Sequence, residues 1–102
     1  SGAEVQDTLE TIFEQIYDFS EKEDARTEML KGIKAVVAQK EEGQQVGLLN
    51  VLDYMVQCGN EEARKSGEAI LERVDGSILE LAFSRGENNG VNLTEHVTIL
   101  EV

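Results

Sequence analysis

One four-residue run occurs twice in this chain, and it constrains the fold more than any other feature. Glu23-Asp24-Ala25-Arg26 returns as Glu61-Glu62-Ala63-Arg64, each copy lying between two apolar segments of helical period. Around these anchors the apolar positions match at shifts of roughly 38 to 45 residues. A period of that size marks stacked helical units, each unable to hide its apolar face until a neighbour covers it. A shift of 39 sets Leu9 on Leu48, Ile12 on Val51, Phe13 on Leu52 and Ile16 on Met55. A shift of 45 sets Ile33 on Ile78, Val36 on Leu81, Val46 on Val91, Leu48 on Leu93 and Leu52 on Val97, which calls for an insertion of about six residues near Asp75. The units so defined are 5–45, 46–90 and a partial 91–102.

With no proline in the chain, the glycines punctuate it. Val5, Leu9, Ile12, Phe13, Ile16 and Phe19 form one stripe, which predicts a helix over roughly residues 4–19. Ser20 and Glu23 have capping-box spacing at the start of a second helix striped by Met29, Leu30, Ile33, Val36 and Val37. Gly43 is placed to terminate it, and the acidic Glu41-Glu42 tail is expected to fray. Val46, Leu48, Leu49, Val51, Leu52, Tyr54, Met55 and Val56 predict the central, most buried helix. Gly59 ends that helix, and Asn60 caps a fourth carrying Ala63, Gly67, Ile70, Leu71 and Val74. Ser77 and Glu80 suggest another capping box and a helix over 77–85, followed by a loop over 85–90. Val91, Leu93, Val97 and Leu100 suit a helix, whereas Val97-Thr98-Ile99 suits a strand; the repeat favours helix.

The expected fold is therefore all-α: one domain over 1–102, itself a candidate piece of a larger protein, built as a small right-handed α-α superhelix or a bundle of five to six helices. The alternative is α+β, with a C-terminal hairpin pairing 77–84 with 91–101.

Gly59-Asn60-Glu61-Glu62-Ala63-Arg64-Lys65 is similar to the run that opens the second helix of an armadillo repeat. Asp75-Gly76-Ser77-Ile78-Leu79-Glu80-Leu81 resembles the glycine turn and start of its third helix. The chain thus resembles the armadillo/HEAT class, with departures: the first unit lacks a glycine turn before a third helix, and Gly67 interrupts a helix interior. The stretch from Leu48 to Glu61 is also similar to the central helix of ENTH/VHS-type adaptor domains, and Gly90-Val91-Asn92-Leu93 to a late turn in them. The basic headgroup cluster of such adaptors has no counterpart here. Both resemblances imply a protein-binding adaptor or scaffold.

Twenty-one acids against nine bases give a formal net charge of −12. The excess is even, with eleven acids and five bases in residues 1–43 and ten and four in the rest. Such a surface repels nucleic-acid phosphates and anionic lipid, and it steers basic proteins toward it. No apolar run approaches the ~20 residues of a membrane helix, and no secretory leader pattern is visible, so the expected setting is cytoplasmic. Cys58, the single cysteine, fits a reducing compartment.

No residue set carries recognisable chemistry. His96 is the sole histidine, without the spacing of a zinc site or a nucleophilic dyad. Gly43 to Gly47 and Gly86 to Gly90 lack the Gly-Lys-Ser/Thr ending of a phosphate loop. Neither a cofactor nor a catalytic residue is expected. The expected function is protein–protein interaction, recognising a partner segment on a helical surface. Candidate interface residues are Phe13, Ile16, Tyr17, Phe19, Tyr54 and Met55, although each also suits plain core packing. An acidic inhibitor or nucleic-acid mimic that blocks a basic partner, and a self-associating subunit, are the alternatives.

Overall fold

The computed structural model describes residues 2–74. They form α1 (Gly2–Ile16), α2 (Glu23–Glu41), α3 (Leu48–Gln57) and α4 (Glu61–Val74), with no strand among the described residues. The expected helix over 77–85, the loop over 85–90, the alternative hairpin 77–84/91–101, the segment 91–102 and His96 lie outside them.

α1 and α2 make one helical hairpin, α3 and α4 a second, and α2 packs on each of the other three helices. The helix at the centre is thus α2, where the sequence pointed to α3. α3 is the more apolar segment, but it is only ten residues long and has α2 on one side and α4 on the other. The core joins Leu9, Ile12 and Phe13 of α1 to Met29, Ile33 and Val36 of α2, Leu48, Val51, Leu52 and Met55 of α3, and Ala63, Ile70 and Val74 of α4. Each large side chain so buried contributes about 1.5–3 kcal/mol of transfer free energy before the entropy of ordering is counted.

The sequence repeat is repeated in burial. Leu9, Ile12 and Phe13 are buried on α1, as are Leu48, Val51 and Leu52 on α3 at the shift of 39. Ala25, Met29, Gly32 and Val36 are buried on α2, and Ala63, Gly67, Ile70 and Val74 occupy the same turns of α4 at a shift of 38. The two hairpins therefore present one pattern of inward positions.

Helix ends obey local chemistry, with three departures from expectation. α1 stops at Ile16, three residues before Phe19. The carboxylate of Asp18 takes the backbone N–H of Ser20 at 2.9 Å and its hydroxyl as well, which bends the chain out of helix. Phe19 then turns back into the core. Ser20 is thereby consumed, so the expected Ser20–Glu23 capping box does not form; Lys22 occupies the N-cap of α2 and makes no side-chain cap bond. Finally, α2 continues to Glu41 instead of fraying. Gly43, at φ +88°, lets its own N–H reach the Lys40 carbonyl at 3.0 Å and that of Gln44 reach Gln39 at 3.0 Å. That Schellman closure satisfies the last carbonyls despite the acidic tail.

The second hairpin matches expectation more closely. The Asn60 side chain accepts the Ala63 N–H at 2.9 Å and caps α4. Asn50 reaches back to the Gly47 N–H at 2.8 Å at the start of α3. Gly67 lies at a tight contact of α4 with α3: a Cβ there would stand 3.1 Å from Val56 Cγ2 and 3.2 Å from Met55 Cβ. The glycine that weakens the helix locally is what allows the two helices to touch.

Candidate interaction surface

The six residues nominated from sequence fall into two environments. Phe13 and Met55 are fully buried and Phe19 nearly so, which makes them core. Ile16 and Tyr17 are half-buried against that core, and Tyr54 is half-buried on the surface of α3. Ile16 and Tyr17 belong to the corner where α1 ends against α4, and Tyr54 belongs to the seam between α2 and α3.

At the corner, Tyr17 holds the two hairpins together. Its hydroxyl donates to Ser66 Oγ at 3.2 Å, giving that buried serine a partner. The ring meets Phe19 edge-on at 5.0 Å. Lys22 Nζ and the Arg73 guanidinium stand 5.7 and 5.3 Å from the ring centre, within cation–π range. Arg73 also donates to the Ile16 carbonyl at 2.8 Å, closing the end of α1 from the far end of α4. Tyr17 is thereby occupied by contacts within the chain.

The seam is different. Gly32, Ala35, Val36 and Gln39 of α2 face Asn50, Asp53, Tyr54 and Gln57 of α3 across a surface groove of about 280 Å³ that Cys58 also lines. Both sets have the spacing i, i+3, i+4, i+7, so each is a single helix face two turns long. Small residues on α2 keep the groove open. Gly32 lets the Tyr54 ring lie against the α2 backbone: a Cβ on Gly32 would be 3.0 Å from Tyr54 Cδ1. The Tyr54 hydroxyl donates to Glu28 at 3.5 Å, at the long limit of a hydrogen bond.

Electrostatics separate the groove from the rest of the surface. Arg26 on α2 reaches Glu14 at 2.7 Å and Glu10 at 3.0 Å on α1. The Glu14 carboxylate raises the Arg26 pKa further above its ordinary value. Arg64 is tied to Glu61 and to Glu68, both of which raise its pKa, while the hydrogen bond from Arg64 lowers that of Glu61. The Ser20 hydroxyl and N–H likewise hold Asp18 below the usual carboxylate value. Lys31 pairs with Glu28 at 3.3 Å. Among the described residues, the ionisable groups lining the groove are Asp53, Tyr54 and Cys58, none of them cationic.

Among the described residues no group of three or more His, Cys, Asp or Glu side chains is arranged to hold a metal ion. No helix among them is long and apolar enough to cross a membrane. Of the groove residues, sequence reasoning nominated Tyr54 alone. The missed signal was the polar face Asn50, Asp53, Gln57 on an otherwise apolar helix, opposite small residues at matching spacing on α2.

The chain belongs to the AAA-like domain family, whose model matches residues 2–102. A relative carrying the name "Uncharacterized protein YddE", from Bacillus subtilis (strain 168), is 38% identical over 94 residues. The match covers 92% of this chain and 11% of YddE, so the chain spans about a tenth of that relative's length. No solved structure matches the chain.

Proposed function

We propose that this chain is a helical protein-contact module within a longer AAA-like protein, with no catalytic role of its own. The observation that carries this reading is the α2–α3 groove, a two-turn channel with an aromatic side, amide edges and the Asp53 carboxylate. Its composition suits a peptide segment: a small apolar floor for side-chain stems, and amide groups for backbone or side-chain hydrogen bonds.

Three further points support it. The match to YddE makes the chain a small share of that relative. Phosphate chemistry of the P-loop kind needs a glycine-rich loop ending in Lys and Ser/Thr, and the 102 residues contain no such run. The two hairpins share one inward pattern, which favours a stacked α-α bundle or right-handed superhelix of five to six helices, an architecture that displays grooves. A cytoplasmic setting is part of the proposal, since a single thiol suits a reducing compartment.

The test uses the longer protein in its own cells. A photo-crosslinking amino acid is placed at Gln57, on the groove rim, and separately at Lys65, exposed on α4. The expected result is a discrete protein adduct from position 57 and none from 65. No adduct from 57, or equal adducts from both, overturns the reading.

A further inference from the structure

We draw no further inference here: the strongest candidate, the surface groove between α2 and α3 beside Asp53 and Tyr54, belongs to the site already described, and nothing in the structure shows what covers it.

Discussion

The carboxylate of Glu62 accepts the backbone N–H of Ala25 at 3.0 Å, joining residues 37 apart in the chain. One copy of the repeated run thus caps the helix that the other copy begins. Asn60 adds a longer contact to Asp24 at 3.3 Å, so the first turns of α2 and α4 are held side by side. A capped N–H at a helix start is worth about 1 kcal/mol. Glu62→Ala should lower stability by about that amount and speed hydrogen exchange at Ala25, whereas Glu62→Gln, which keeps an acceptor oxygen, should retain part of it. Exchange rates at Ala25 unaltered in Glu62→Ala would show that the two hairpins are not joined there.

Gly67 sets a contest between propensity and packing. Alanine gains about 1 kcal/mol over glycine in a helix interior, while overfilling a packed contact costs about 1–3 kcal/mol. The new Cβ would stand 3.2 Å from Met55 Cβ and 3.5 Å from the Leu52 carbonyl, atoms that cannot swing aside. Gly67→Ala is therefore expected to destabilise by about 1 kcal/mol net in a denaturant melt. A stabilised variant would mean that α3 and α4 have room to part.

Tyr17 and Ser66 form a hydroxyl pair at the junction of the hairpins. Tyr17→Phe strips the buried Ser66 of this partner and should cost about 1 kcal/mol. Ser66→Ala removes the polar group itself, so the double variant should be less destabilised than the sum of the two. A coupling of about 0.5–1 kcal/mol in the double-mutant cycle is the expected reading, and additive effects would dismiss the bond.

Among the described residues, acid titration should single out two carboxylates. Asp18 is lowered by its hydrogen bonds from Ser20, and Glu61 by its bond from Arg64. A folded-state pKa below the unfolded one means that the stabilisation is complete above the unfolded value and disappears as pH falls through the folded value. For these groups that window opens below about pH 4. Carboxyl carbon NMR should show both titrating below ordinary Asp and Glu, with Arg64→Gln returning Glu61 toward the usual range and leaving Asp18 in place.

The ends of the second hairpin could be read directly from sequence. Gly59 and Asn60 mark a stop and a start whose chemistry is local: Gly59 takes a φ of +90°, and the Asn60 side chain reaches the Ala63 N–H within its own turn. Gly43 was legible for the same reason. The start of α2 was not, because Ser20 had two candidate partners close in sequence and Asp18 is the one it found. The missing cap is supplied by Glu62, which no local spacing could reveal.

The same division applies to the surface. Helical period alone established that α1 to α4 are helices and which positions face inward, since a stripe at that spacing has only one side to hide. It could not say which apolar residues were surplus to the core: Phe13, Phe19 and Met55 proved to be part of it, and Tyr54 stayed half-buried in the seam between α2 and α3. That outcome depends on how two helices approach each other, and the approach of α2 to α3 is governed by Gly32 lying under the Tyr54 ring. Local spacing therefore determined the helices and their inward faces, while the groove beside Asp53 came only from the packing of one helix on another, because a cleft belongs to neither helix alone.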